Sequence, residues 1–526
     1  MKHSNTWLIR TFIIVALSFH ALLVFKHFPI SSVTRGEPLC SQDLSYHFAS
    51  AVEGKDFIAE RHRIWGYSPR YMAGYPWGLW NSFSKRGYET APALMPFLSV
   101  EAAYYVWIVL MALATPVLPA VAAWIAGCRS SVVQFCLVLG VVVYQMDSTV
   151  SYFWTFGNLT FPFVSAAILI YMACLIRGVA GSWKYTVCAA IALGVIFWLH
   201  PLAVVPLALG SLAAIYVLRY ELSRKTALLR LCAVFVLAAL IVLPWLVPLW
   251  AFRDMRATAP RGLSSDIRFF VMDLLSDRGY RRPFDRRFLF HIVFVLTVLG
   301  AVHRRFARMS ESDANEVLEN KVVPAVALTC LALLICTYSF GYVFLLQQTQ
   351  PYRYITTFMM LAVLPASVGL RSLSEHIAAA NRQGRIVAAC LMFVMLPDMT
   401  AYVFDLVNRE PARGLDPDQQ EVVRWLTAED ATLGDGRILC EDGMLGNLLP
   451  YLTGREVIGG YIGDQSALVH KWASISPTRL FGWERRQGAG DRGQESGELR
   501  DYLELYNIRV IVAESGELKR DIANLG

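Results

Sequence analysis

Residues 228–251 read LLRLCAVFVLAALIVLPWLVPLWA, with Arg224 and Lys225 just before them and Arg253 just after. A helical run of that length, rising about 1.5 Å per residue, spans the roughly 30 Å of bilayer hydrocarbon. Helix is required there, because lipid offers the backbone no hydrogen-bond partner. Similar apolar runs recur from Trp7 to Val407, and the chain of 526 residues is 56% hydrophobic and only 17% charged. Its mean hydropathy is +0.43. A soluble protein of that length carries more charge. Past Arg409 charges return every few residues, so a membrane body, residues 1–408, is followed by a polar tail, 409–526.

The same reading predicts about eleven transmembrane helices, near 7–25, 102–126, 131–148, 158–177, 184–200, 202–219, 228–251, 288–302, 322–346, 353–371 and 386–407. The first run lacks a small-x-small cleavage signature and reads as an uncleaved helix rather than a signal peptide. Alternate connections are short and basic: Lys2 and Arg10, Arg129, Arg177 and Lys184, Arg219 to Lys225, Arg304 to Arg308, and Arg371 to Arg385. Basic loops mark the cytoplasmic side. The expectation is therefore a multi-pass protein of the cell (inner or plasma) membrane, N-terminus cytoplasmic, tail extracytoplasmic. The net charge of +7 reports orientation, not a nucleic-acid partner.

The outer side has two long connections, 26–101 and 252–287, and loops of that length are usually functional or folded. The first is rich in Tyr, Trp, Gly and Pro and is expected to lie along the interface as short amphipathic helices. The tail is expected to be α/β, with strands at Arg437–Cys440, near Val457–Gly460 and near Arg509–Ala513, a helix over Glu498–Tyr506 and a mobile loop over 482–497. Of the ten cysteines, Cys40 and Cys440 fall on the outer side. A disulfide between them and two unpaired thiols are the alternatives.

Several residues suit chemistry at a membrane surface. Asp43 stands just past the first helix, where a carboxylate can take a proton from a hydroxyl or cap the helix that begins at Leu44. The 252–287 loop is dense in Arg, including Arg253 and Arg256, against the orientation rule. Guanidinium groups bind phosphate bidentately, and the competing reading is a solvated face of Arg/Asp pairs. Gln347 to Tyr354 contains Pro351, Tyr352 and Arg353, which puts a guanidinium at a helix N-terminus that already favours anions; a snorkelling arginine is the alternative. His200, before Pro201, can bind a phosphate or bond a neighbour. Asp398, inside the last span, and Asp147 are weaker candidates. No P-loop, GxSxG or His/Cys metal cluster is present and the outer loops hold no Asp-x-Asp pair, which leaves a divalent metal on dispersed carboxylates open.

Asp43 after a first helix, Tyr71-Met72-Ala73-Gly74-Tyr75-Pro76, Gln350-Pro351-Tyr352-Arg353-Tyr354 and Leu503 to Val512 together resemble the bacterial and archaeal membrane proteins related by name to 6-pyruvoyl-tetrahydropterin synthase, and the YfhO-like proteins. These in turn resemble the GT-C superfamily of membrane glycosyltransferases. The pterin-synthase association does not carry over, because the chain has no zinc-type His cluster. The superfamily resemblance implies a GT-C-like fold and inverting transfer of a sugar from a polyprenyl-phosphate donor to a glycan, lipid or protein acceptor at the outer face. It implies Asp43 as base. It implies phosphate or substrate contacts from Arg353, His200, Arg253, Arg256, Tyr352 and Arg70. A single acidic residue in place of a pair leaves metal dependence open. A lipid-linked-sugar flippase would need the same arginines but also midplane polar groups and repeat symmetry, which the chain does not display; a non-catalytic cell-envelope assembly factor would not need Asp43.

Overall fold

A computed structural model describes residues 2–34, 36, 38–39, 41–79, 86–145, 153–154, 157–253, 293–298, 317–340, 353–379, 407–408, 410–460, 503–514, 519 and 522–523. Among these, five helices are long and apolar enough to cross a membrane, and a bent pair makes a sixth span. Shorter apolar helices stand beside them, so the chain is a multi-pass membrane protein.

The bundle is built from α1 (Lys2–His27), α4 (Val100–Ala114), α5 (Leu118–Ile125), α6 (Ser131–Tyr144), α7 (Thr160–Gly181), α8 (Trp183–Leu199), α9 (Val204–Val217), α10 (Lys225–Ala251), α11 (Val323–Ser339) and α12 (Tyr354–Ala379). Helix α7 is the hub: 78% of its apolar stretch is buried, against 17% for the first span and 28% for α10. It touches α5, α8, α9, α10 and α12. The peripheral spans leave large apolar side chains such as Trp7, Ile14, Leu240 and Val247 exposed, as a surface dissolved in lipid requires.

The single helix expected over 102–126 is broken. Helices α4 and α5 meet at 55°, because Pro116 removes a backbone donor and its ring clashes with the preceding turn. Thr115 reinforces the bend by donating its hydroxyl to Met111 O at 2.6 Å. The count of about eleven spans is not reached among the described residues. The expected span 386–407 lies outside them except for Val407, and 288–302 is described only at 293–298, where it is helical.

The two ends of the bundle differ. At one, Arg177 donates to Ile125 O at 2.6 Å and satisfies the last carbonyls of α5, while Lys321 pairs with Glu221 at 2.7 Å. The other end carries the first loop and the tail. The first loop is not a set of interfacial helices. It folds as α2 (Asp43–Arg61), an antiparallel hairpin of β1 (Gly66–Ser68) and β2 (Tyr75–Trp77), and α3 (Arg86–Leu94). Tyr71, Tyr75 and Trp77 are buried against Tyr46, Ala49 and Phe57, because the hairpin lies on α2. Gly54 lets α3 come close: a Cβ there would stand 2.2 Å from Glu89 O.

In the tail, α13 (Pro417–Ala428) begins with a full capping box, Asp416 with Gln419, and Pro417 in its first turn. Asp442 caps α14 (Gly443–Thr453), accepting from Met444 N and Leu445 N, and Gly454 in the left-handed region ends it. A parallel sheet of order β4-β3-β5 joins β3 (Arg437–Cys440), β4 (Val457–Gly459) and β5 (Ile508–Val512). The strands fall within a residue or two of their expected positions. Residues 503–505 are helical, while the loop 482–497 lies outside the described residues. Cys440 is a buried free thiol donating to Asp442 O at 3.4 Å; Cys40 lies outside the described residues.

The hairpin extends the tail's sheet. Met72 N donates to Val457 O and Val457 N to Arg70 O, each at 2.8 Å. Arg70 pins the hairpin to α2, with Nη1 at 3.2 Å from Glu53 and 2.6 Å from Asp56. Glu53 is 2% exposed. Burial raises its carboxyl above the usual range, and the opposing attraction of Arg70 and hydrogen bonds from Ser68 and Arg70 do not cancel that. Its proton is therefore held more tightly folded than unfolded. The corresponding stability is present below the ordinary carboxylate pKa and is lost as pH rises through the raised one. Thermal unfolding of the detergent-solubilised protein, followed by tryptophan fluorescence, is expected to show wild type losing stability across that window. Glu53→Gln is expected to flatten the loss and to be the more stable protein at neutral pH. A wild-type midpoint that rises through the window would contradict the assignment.

Candidate functional site

The first turn of α2, α3, the start of α7, the break between α8 and α9, and the start of α12 meet at the loop-bearing end of the bundle. Their common floor is the segment around Phe153 to Phe161. Leu44 closes on Gly157, where a Cβ would stand 2.3 Å from the Leu44 side chain. Tyr88 of α3 donates to Gly157 O at 2.9 Å. The Phe153 and Phe161 rings stack at 5.3 Å.

Asp43 is the first residue of α2, partly exposed. It is not the helix cap: Gln42 holds that position, at φ 53° and ψ −132°, with no side-chain cap bond. The Asp43 carboxylate lies near Tyr88. Burial pushes the Tyr88 phenol up to about 12, hydrogen bonds from Thr160 and Leu159 oppose this, and the negative charge of Asp43 adds to it. One turn on, His47 stacks on Tyr88 at 4.3 Å and 15°. The i, i+4 spacing puts Asp43 and His47 on one helix face, a relation visible in the sequence.

His200 ends α8, where Pro201 cannot continue the helix, and it is 0% exposed. Its ring lies 4.9 Å from Phe161, and neither ring nitrogen has a hydrogen-bond partner among the described residues. Arg353 stands immediately before α12, its guanidinium 5.7 Å from the Phe153 ring and 5.8 Å from that of Phe161. Its charge acts on His200. His200 and Arg353, far apart in the chain, thus share Phe161, while Asp43 lies near Tyr88, which bonds the same segment at Gly157.

The other sequence candidates fall elsewhere. Arg70 is the hairpin clamp described above, with two carboxylates on its guanidinium. Arg253 is exposed past the end of α10, donating to Trp250 O at 3.3 Å with its guanidinium 4.8 Å from the Trp250 ring. Arg256, Tyr352, Asp147 and Asp398 lie outside the described residues. Among the described residues no three His, Cys, Asp or Glu side chains converge as a metal site, so no residue is assigned to a metal.

A buried pair was missed. Arg86 and Glu89 are both 0% exposed, 3.7 Å apart. Arg86 also donates to Gly78 O at 3.0 and 3.4 Å and lies 5.0 and 4.8 Å from the rings of Trp198 and Trp245. Trp245 Nε1 donates to the same carbonyl at 3.1 Å. Gly78 suits this turn: its φ is +79°, and a Cβ would meet Ile64 O at 2.3 Å. Burial pulls the guanidinium down to about 10 while Glu89 raises it. In sequence, Ser84-Lys85-Arg86-Gly87 looks like a polar loop.

No family model matches the chain, and no curated protein sequence does. Solved structures do. The archaeal oligosaccharyltransferase AglB from Archaeoglobus fulgidus, in complex with an inhibitory peptide and a dolichol-phosphate, superposes at a TM-score of 0.58 with 11% identity, over 95% of this chain and 69% of that one. The apo form of the Archaeoglobus fulgidus enzyme gives 0.58 and 12%, over 94% and 69%. ArnT from Cupriavidus metallidurans bound to undecaprenyl phosphate reaches 0.42, with 14% identity over 99% and 88%, too low to carry an argument. Likeness at this identity shows the fold alone: the chain is a polytopic membrane protein that shares the fold of the Archaeoglobus oligosaccharyltransferase over most of its length.

Arg86→Met strands the Glu89 charge in the interior, and breaking a buried pair from one side costs about 3–5 kcal/mol. The single variant is expected to lower the thermal midpoint sharply, and Arg86→Met/Glu89→Gln to recover part of the loss. Equal midpoints for the single and double variants would show that Glu89 draws no support from Arg86.

Proposed function

We propose that the protein is an inverting membrane glycosyltransferase that moves a sugar from a polyprenyl-phosphate donor to an acceptor hydroxyl at the extracytoplasmic face. The observation that carries the reading is the meeting of the His200 imidazole and the Arg353 guanidinium at one ring, Phe161, on the floor that also supports the start of α2. A buried imidazole lacking a partner costs about 1–3 kcal/mol, which a phosphate oxygen would restore. The GT-C fold of the oligosaccharyltransferase, solved with dolichol-phosphate, is the second support. The lipid-facing flanks of the bundle give a polyprenyl chain a sideways approach.

In this reading the phosphate of the donor lies against Arg353 and His200. Asp43 accepts the proton of the acceptor hydroxyl as that oxygen attacks the anomeric carbon. The bond from that carbon to the phosphate oxygen breaks, the electron pair leaves with polyprenyl phosphate, and Arg353 offsets the charge that develops. Attack opposite the leaving group inverts the anomeric centre. The basic connections support a cytoplasmic N-terminus and, with it, a site at the outer leaflet.

The test is transfer of radiolabelled sugar from a panel of polyprenyl-phosphate sugars by purified protein. Asp43→Asn is expected to lose about 10²- to 10⁴-fold, the usual contribution of a general base, with donor binding retained. Arg353→Gln is expected to lose about 10²- to 10³-fold in kcat. Wild-type rates in Asp43→Asn would remove it as base, and absence of transfer from every donor, with lipid flipping instead, would replace the class.

A further inference from the structure

The backbone on either side of Asp43 is held by other elements while its own side chain stays partly exposed. Before it, Gln42 N donates to Met444 Sδ of the tail at 3.2 Å. After it, Leu44 O accepts from the Tyr104 hydroxyl of α4 at 2.9 Å. Ser45 Oγ accepts from Asn447 Nδ2 of the tail at 3.0 Å and lies 3.0 Å from Gln42 O, which its hydroxyl reaches as donor. Ser45 and Asn447 are both 0% exposed, so water does not compete for that bond. Gln42 adopts φ 53°, a conformation that a side-chain-bearing residue holds only when its surroundings impose it. Two of the groups that impose it, Met444 and Asn447, belong to the first two turns of α14.

Further along the same contact, α14 is braced against the membrane body. The Tyr451 hydroxyl bonds Glu101 at the start of α4, and the Tyr451 ring meets Phe48 edge-on at 5.1 Å. Asn447 O accepts from Tyr71 of the hairpin at 2.9 Å. The tail's helix therefore stands between the hairpin, α2 and α4, with the Asn447 side chain on the start of α2.

We infer that the tail is the positioning element for the Asp43 carboxylate, and that Asn447 is its positioning residue, acting through Ser45. The inference rests on Asp43 as base in the proposed reaction. Because Asn447 Nδ2 bonds Ser45 in the helix that carries Asp43, its loss misdirects the carboxylate rather than the groups that hold the donor phosphate. A displacement of the order of an ångström is enough to lower turnover about 10²-fold.

The experiment compares Asn447→Ala, Ser45→Ala, their double variant and Tyr71→Phe in the full-length protein. Tyr71→Phe cuts the hydrogen bond from the hairpin to the Asn447 carbonyl and leaves the Asn447 side chain on Ser45. Asn447→Ala and Ser45→Ala are each expected to lower kcat on the order of 10²-fold with the donor KM little changed, the double variant no further, and Tyr71→Phe to keep the wild-type rate. Hydrogen exchange read by mass spectrometry is expected to quicken over residues 42–47 in the first three variants and not in the fourth. That readout needs no turnover. Unchanged exchange over 42–47 in Asn447→Ala overturns the inference, as does a loss of kcat in Tyr71→Phe equal to that in Asn447→Ala. If Asp43→Asn is inactive and Asn447→Ala fully active, the positioning role alone falls. If Asp43→Asn is fully active, the base assignment beneath it falls.

Discussion

Hydrocarbon supplies no hydrogen-bond partner to a backbone, and most of the architecture follows from how this chain meets that constraint. Within the spans the helices satisfy themselves. At their ends they cannot, because the first N–H groups and the last carbonyls of every helix have no partner in the helix. The chain handles its two ends differently. On one, basic side chains reach the carbonyls, as Arg177 does at Ile125. On the other, folded polypeptide covers the ends, and Tyr104, Tyr105 and Trp245 send polar atoms from the spans to carbonyls of the first loop and its entry at Phe28. The covered end is therefore polar and partly dry, which is the environment the proposed glycosyl transfer requires.

Two buried carboxylates in that cover are treated in contrasting ways. Glu53 shares Arg70 with Asp56, and Arg70 is 40% exposed, so the pair is weakened by solvent. Glu89 has Arg86 wholly inside, with two indole rings and a carbonyl completing the guanidinium's surroundings. The first pair holds the hairpin on α2; the second holds the end of the hairpin on α10. Together they make the first loop a stiff plate between bundle and tail.

The spans and the tail strands were legible because they depend on local pattern: apolar runs, Gly and Asp bounds, and short β-branched segments. Their errors were local too. The span expected over 102–126 overlooked what Pro116 does to a helix. The first loop was not legible in the same way. Its burial comes from contact with residues far away in sequence, such as Ser45 with Asn447, 402 positions apart, so Tyr71, Tyr75 and Trp77 read as interfacial when they are core. Of the candidate site, Asp43, His200 and Arg353 could be singled out from residue type and position at helix ends. Arg86, Glu89 and Tyr88 could not, because a buried ion pair and a solvated one look alike in sequence.

Strain at Gln42 ties these threads together. A residue with a side chain held at φ 53° costs about 1–3 kcal/mol relative to relaxed backbone, and the local bonds from Leu44 N to Ser41 O and from Ser45 to Gln42 O are part of what holds it. The rest comes from Tyr104 in a span and from Met444 and Asn447 in the tail, so bundle and tail both support the conformation of the loop. A carboxylate placed this way is partly exposed on a backbone held from two other elements, α4 and α14. The arrangement also accounts for a tail helix that directs the Asn447 and Tyr451 side chains inward, toward α2 and α4, when most soluble amphipathic helices direct polar groups to water.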